Sequence, residues 1–149
     1  MNHVIEVAAI LAAHDAPEEA ILAGLLHDTV EDTAVTPAEL VEAFGEVVAG
    51  LVAEATDDKT LTREQRKALQ VKHAAAHSPA GKMLKLADKI ANLRAIADSP
   101  PANWDHARRV EYVGWAGRVA GGLKGANPAL DALFEKTYRA AISKLMEEV

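Results

Sequence analysis

The segment from residue 27 to residue 32 concentrates side chains that bind cations. His27 and Asp28 follow an apolar helical stretch, and Glu31 and Asp32 come about one helical turn later. Residues four apart share a helix face, which pairs His27 with Glu31 and Asp28 with Asp32. Three carboxylates this close repel one another, and the negative end of a helix dipole adds to the repulsion. The segment therefore favours a divalent metal held by imidazole nitrogen and carboxylate oxygen.

Two further candidates for cation binding lie elsewhere in the chain. Asp88 is flanked by Lys85 and Lys89, and Asn92 follows it by one helical turn, on the same face. His3 stands at the start of an apolar helical pattern. Each feature also has an ordinary interpretation: a solvated helix end for the first segment, a surface ion pair for Asp88, and a surface or capping histidine for His3. The residues alone leave both interpretations open.

Charge is distributed unevenly along the 149 residues, which carry 22 acidic and 16 basic side chains for a net charge of -6. Residues 1–58 hold 13 acidic side chains and no Lys or Arg, whereas residues 59–94 hold nine Lys or Arg and two acids. The negative total argues against a nucleic-acid or membrane partner. The division predicts either a cation site beside an anion site or two solvated faces that neutralise each other.

The apolar residues recur at helical spacing, and no stretch alternates as a strand would. We therefore expect an all-α fold, a single compact bundle of about seven to eight helices formed by one domain, 1–149. Asp15 is predicted to cap the second helix, whose buried stripe would include Leu25. A helix over 104–120 is expected to end at Gly121 and Gly122. The absence of cysteine, of a signal peptide and of a membrane-length apolar run favours a reducing, cytoplasmic location.

Several separated segments together resemble the HD-domain hydrolases of the RelA/SpoT group, in particular its small stand-alone alarmone hydrolases. The similarity runs from about residue 2 to residue 127, and the family carries a further segment before the histidine that matches His3. The matching segments are Asn2-His3, 27–33, 56–59, 85–94, 108–116 and 122–127.

The resemblance implies a role for each matching residue. Four residues would coordinate one divalent metal, usually manganese in that family: His3, His27, Asp28 and Asp88. Glu31 and Asp32 match the pair that positions or deprotonates the attacking water, and Asn92 matches a residue beside the scissile phosphate. Arg108 and Tyr112 match positions near the substrate. The family removes the 3′-pyrophosphate of guanosine tetra- and pentaphosphate, giving GDP or GTP and pyrophosphate.

A substrate with two pyrophosphates needs cations to bind it, and Arg is the residue best suited to bidentate phosphate contacts. We expect Arg66, Lys67, Lys85 and Arg108 to bind it together with Tyr112. Two other functions stay open: a broader nucleotide phosphohydrolase, such as an NADPH 2′-phosphatase, and a non-catalytic HD module that senses nucleotides. The expected partner is a small nucleotide, and self-association is possible.

Overall fold

The computed structural model describes residues 2–28 and 34–148. Within these residues the chain forms seven α-helices, one short 3-10 helix (Ala74–Ala76) and no β-strand, which confirms the predicted all-α fold. Every one of these helices falls short of the length or the apolar character that a membrane span requires. The helices are α1 (His3–Ala13), α2 (Glu18–Leu26), α3 (Pro37–Ala55), α4 (Arg63–His73), α5 (Pro79–Asp98), α6 (His106–Leu123) and α7 (Pro128–Glu147).

Most helices begin at a polar side chain that accepts a hydrogen bond from a free backbone N–H of the first turn. Thr62 caps α4 and forms a capping box, because Gln65 accepts a hydrogen bond from the backbone N–H of Thr62 in return. These caps fix where each helix starts and so the face on which its functional side chains lie. The same capping occurs at α1, α3, α5, α6 and α7, by Asn2, Thr36, Ser78, Asp105 and Asn127.

Helix α5 is the central element, since it packs against α1, α2, α3, α6 and α7. A helix that is enclosed on most sides must bury residues around its whole circumference. Asp88 and Asn92 are only partly buried, and they lie one turn apart on the side of α5 where the packing is incomplete. The fully or nearly fully buried apolar residues of α5 are Leu84, Leu86, Ala87, Ile90, Ala91, Leu93 and Ile96.

The predicted start of α2 is wrong. Asp15 does not cap α2, which has Pro17 at its N-cap and no side-chain cap. Instead, Asp15 has φ 56° and ends α1, with the backbone N–H of Ala16 bonded to the carbonyl of Leu11, as in a Schellman motif. Leu25 is 42% exposed, and α2 buries the small residues Ala20, Ala23 and Gly24 instead.

The prediction that Gly121 and Gly122 end a helix is also wrong, because α6 continues to Leu123. A side chain at Gly122 would place its Cβ 2.6 Å from Cβ of Ala74 and 3.1 Å from the backbone nitrogen of Ala75. Gly122 therefore allows α6 to approach the 3-10 helix that follows α4. A Cβ at Gly121 would meet no atom of the described residues within 4 Å.

Candidate active site

Helix α1 brings its first residue to the middle of α5. Asn2 caps the helix by accepting a hydrogen bond from the backbone N–H of Val4, so that His3 begins the first turn. Nε2 of His3 lies 2.8 Å from Oδ1 of Asp88, which is 85 positions away in the chain. An ion pair at 3.4 Å between Glu6 and Arg94 joins the same two helices.

Helix α2 ends at the same point. Nδ1 of the buried His27 lies 2.8 Å from the carbonyl oxygen of Gly24. Because a carbonyl oxygen only accepts, Nδ1 carries the proton, and Nε2 is the ring atom that faces the site. Nε2 lies 3.3 Å from Oδ1 of Asp28 and 3.4 Å from Oδ1 of Asp88. The ring of His3 stands edge-on to that of His27, with their centroids 5.7 Å apart.

The two oxygens of Asp88 face different partners. Oδ1 faces the imidazoles of His3 and His27, whereas Oδ2 lies 3.4 Å from Nζ of Lys89 and 3.5 Å from Nδ2 of Asn92. Burial opposes ionisation, but the positive charge of Lys89 and the hydrogen bonds with His27 and His3 outweigh it. Together they hold the pKa of Asp88 well below its ordinary value of 3.8.

The imidazole of His27 and the carboxylates of Asp28 and Asp88 need a positive charge between them. The Nε2 lone pair of a neutral His27 would point at two carboxylate oxygens, which is repulsive unless a proton or a metal ion lies between them. The hydrogen bond with Asp88 raises the pKa of His3 above 6.5. Burial has the largest influence on His27 and lowers its pKa, but the hydrogen bond with Asp88, the negative charges of Asp88 and Asp28 and the hydrogen bond with Gly24 together raise that pKa above 6.5.

The donor atoms fit a divalent metal. One ligand atom each from His3, His27 and Asp28 lies within 4.8 Å of the other two, and Oδ1 of Asp88 borders both imidazoles. Two nitrogens and carboxylate oxygens suit Mn, Fe, Co or Zn, and the set does not choose among them. The structure thus brings together all four predicted ligands.

A second group of predicted residues meets in a cavity of about 230 Å³ between α4 and α6. Nε of Arg66 and Nε of Arg108 are both buried, and neither has a hydrogen-bond partner among the described residues. Buried donors without partners are costly, and an anionic ligand would satisfy them. The cavity is lined by Asp57, Arg63, Arg66, Lys67, Gln70, Trp104, Arg108, Tyr112 and Trp115.

Aromatic rings form one wall of this cavity. The centroid of Tyr112 lies 5.6 Å from that of Trp104 and 5.4 Å from that of Trp115. The guanidinium carbon of Arg108 lies 4.1 Å from the centroid of Trp104. Burial raises the pKa of Tyr112 well above its ordinary value of 10.0, so the phenol stays neutral, and it hydrogen-bonds with Asn92. Asn92 contacts Asp88 in turn, so Tyr112 and Asn92 connect the cavity to the cluster of candidate metal ligands.

Lys85 lies in a different place from the other predicted cations. Its side chain is buried, and Nζ donates to Oε1 of Gln70 at 3.4 Å. It lines an adjoining cavity of about 230 Å³, whose wall also includes Arg66. Glu31 and Asp32, the predicted catalytic carboxylates, lie outside the described residues.

Sequence reasoning assigned no binding role to five residues that line the cavity: Asp57, Arg63, Gln70, Trp104 and Trp115. Arg63 was one of nine basic residues in a short segment, and nothing in the sequence separated it from the others. A signal did exist for the tryptophans. The chain holds only two Trp, two Tyr and two Phe, and a core this poor in aromatic residues makes each tryptophan conspicuous.

Comparison with known proteins identifies the family to which the chain belongs. The HD-domain family model matches residues 1–116. The guanosine-3′,5′-bis(diphosphate) 3′-pyrophosphohydrolases MESH1 of Drosophila melanogaster and Homo sapiens are 41% and 45% identical to the chain, each over 93% of the chain and 79% of the relative. A solved structure of a metazoan SpoT orthologue, described as hydrolysing ppGpp, superposes with a TM-score of 0.88. That structure is 41% identical and matches 93% of this chain and 79% of its own length.

Three observations point to the same family. They are the helical bundle, the convergence of histidine and aspartate on α5, and these similarities to known proteins. The chain belongs to the HD-domain family, whose members are metal-dependent hydrolases.

Proposed function

We propose that this protein is a metal-dependent hydrolase that removes the 3′-pyrophosphate from guanosine tetra- and pentaphosphate, giving GDP or GTP and pyrophosphate. One observation supports the proposal: the four candidate metal ligands lie beside a cavity in which Nε of Arg66 and Nε of Arg108 have no hydrogen-bond partner among the described residues, and Asn92 and Tyr112 link the two. A metal beside an anion site suits a substrate that is a phosphate ester. The similarity to enzymes named for this reaction supports the choice of substrate.

The proposed ligands are His3, His27, Asp28 and Asp88, and the proposed metal is manganese. When bound, a divalent metal lowers the pKa of a coordinated water and neutralises charge on a phosphate oxygen. The protein contributes the fixed orientation of the ligands: Gly24 holds the tautomer of His27, and the cap of α1 places His3.

The remaining residues bind the substrate and move protons in this proposal. Arg66, Lys67 and Arg108 hold the phosphates of the nucleotide, and the amide of Asn92 lies beside the phosphate that is cleaved. A water oxygen bonds to the phosphorus attached to the ribose 3′ oxygen, and the bond between that phosphorus and the 3′ oxygen breaks. Glu31 or Asp32 accepts the proton of the water. The 3′ oxygen takes up a proton, and pyrophosphate leaves.

Turnover of guanosine tetraphosphate with manganese tests the proposal. We expect equal amounts of GDP and pyrophosphate from the wild-type protein and none from Asp28→Ala. The absence of pyrophosphate from a folded, metal-loaded wild-type protein would refute the activity.

The same assay separates the two alternatives. Faster release of inorganic phosphate from NADPH would identify a nucleotide phosphatase of different specificity. Nucleotide binding without turnover of either substrate would identify a sensing module.

We also propose that the protein acts in the cytoplasm. Size-exclusion chromatography with light scattering tests whether it associates with itself.

A further inference from the structure

Lys89 is a buried cation that the proposed reaction does not use. Lys89 lies on a buried side of α5, and the residue is only 3% exposed. Nζ lies 3.4 Å from Oδ2 of Asp88 and 4.5 Å from the ring centroid of Trp115. A buried charge needs partners, and these are a carboxylate oxygen on one side and an aromatic face on the other.

The ring of Trp115 is itself held in place. Its Nε1 donates to the backbone carbonyl of Lys67 at 3.0 Å, and the residue is 6% exposed. Nζ of Lys67 lies 5.2 Å from the same ring centroid. One tryptophan therefore supports two lysines, of which Lys67 lines the phosphate cavity and Lys89 contacts Asp88.

We infer that Lys89, supported by Trp115, is a positioning residue that occupies Oδ2 of Asp88 and so restricts this carboxylate to one oxygen, Oδ1, for the metal. The geometry supports this division because Oδ1 faces both histidines and Oδ2 faces Lys89 and Asn92. The inference rests on the metal ligands of the proposed function and does not depend on which nucleotide is hydrolysed.

Removal of the Lys89 ammonium has two consequences that act in the same direction. The site loses a positive charge next to the metal, and Asp88 gains a second oxygen that can bind. Both increase the affinity for cations. Calcium gains more than manganese because it readily accepts bidentate carboxylates and more oxygen ligands. A lysine that served only to stabilise the fold would instead lower metal affinity when replaced, because the ligands would lose their arrangement.

Isothermal titration of the metal-free protein with Mn²⁺ and with Ca²⁺ tests this, in the absence of nucleotide. For Lys89→Met we expect several-fold tighter Mn²⁺ binding, and for Ca²⁺ a larger gain, on the order of tenfold. Lys67→Met is the matched control, because it removes a lysine from the same ring without touching Asp88. We expect it to leave both metal affinities unchanged and to weaken nucleotide binding.

A second pair of variants guards against misfolding of Lys89→Met. Trp115→Phe keeps an aromatic face under Lys89, and we expect wild-type metal affinities. Trp115→Leu removes that face and should shift the affinities in the same direction as Lys89→Met. Circular dichroism melting establishes that each variant is folded before titration.

If Lys89→Met and Trp115→Leu are folded and bind Mn²⁺ and Ca²⁺ no more tightly than the wild type, the inference is overturned. A wild-type protein that binds neither ion would overturn both the inference and the ligand set. If the wild type binds metal with the expected pattern but hydrolyses no guanosine tetraphosphate, the inference stands and the proposed function fails.

Discussion

The proposed metal centre and the proposed phosphate cavity adjoin each other but are built on opposite principles. In the metal centre His3, His27 and Asp88 contact one another, so even without a ligand each charge has a partner. In the cavity the buried Nε atoms of Arg66 and Arg108 have no such partner among the described residues. The first region is arranged to keep its geometry, and the second to gain contacts when an anion enters.

The sequence origin of the two regions explains this difference. Three of the four proposed metal ligands come from the part of the chain that has no Lys or Arg, and the cavity draws its cations from α4 and α6. Asp88 lies on α5, which packs against helices of both groups. The two regions can therefore be perturbed separately, and each perturbation should affect one of them much more than the other.

The largest effect is expected from His27→Ala, which removes a buried ligand whose ring is fixed at both nitrogens. Metal affinity should fall by more than roughly 100-fold, because even residues that only support a ligand commonly account for 10–100-fold. Elemental analysis after dialysis measures the loss. His14→Ala is the control, since among the described residues the side chain of His14 makes its one hydrogen bond with the carbonyl of Ile10 in α1, away from the four proposed ligands. Equal metal content in both variants would contradict the ligand assignment.

Next in size is Arg108→Ala, which should weaken nucleotide binding about 10–100-fold, the range expected for a hydrogen bond to a charged group. Metal content should not change. Arg109→Ala is a matched control, because Arg109 points to the other side of α6 and pairs with Glu148 at 2.8 Å. Equal loss of nucleotide affinity in the two variants would show that general charge, and not the cavity, binds the substrate.

Gly122→Ala should separate the regions through the fold. Its Cβ would lie 2.6 Å from Ala74, so α6 and the 3-10 helix after α4 must move apart, at a cost of about 1–3 kcal/mol. The Cβ of Gly121→Ala would meet no atom of the described residues within 4 Å, and this change should stabilise the helix by up to about 1 kcal/mol. Urea unfolding measures the change in the free energy of unfolding for both variants. We expect Gly122→Ala to weaken nucleotide binding more than metal binding, and the reverse order would contradict the assignment of α4 and α6 to the cavity.

The smallest effect is the pH dependence of the metal-free protein. The raised pKa values of His3 and His27 contribute stability that is fully present below 6.5 and lost as pH rises through their folded-state values. The lowered pKa of Asp88 contributes stability that is present above 3.8 and lost as pH falls through its folded-state value. The contribution of the site should therefore be greatest between these limits. Urea unfolding on either side of pH 6.5 measures it, and bound metal should abolish the decline above 6.5 because the metal replaces the protons.

The sequence singled out the residues that cluster at the candidate metal site more completely than those that line the cavity, for a physical reason. Histidine and aspartate have few common roles when they occur together at fixed spacing. The order of the motifs along the chain reduced the number of these roles further. Lys and Arg are common on any surface, so the pocket-facing members, such as Arg63, could not be chosen before the fold placed them. The two wrong helix boundaries have different origins. Asp15 belongs to the turn that ends α1, and its local pattern resembles the start of a helix as much as the end of one. Gly122 is required by its contact with Ala74, which is distant in the sequence and so absent from any local pattern.

We propose that four side chains converge on one metal ion: His3 at the start of α1, His27 and Asp28 directly after α2, and Asp88 in the middle of α5. Anomalous diffraction from a crystal soaked in Mn²⁺ tests it most directly. We expect a single strong peak within bonding distance of Nε2 of His3, Nε2 of His27 and one oxygen each of Asp28 and Asp88. A peak that lacks the ligand from α1 or from α5, or a peak elsewhere in the molecule, would contradict it.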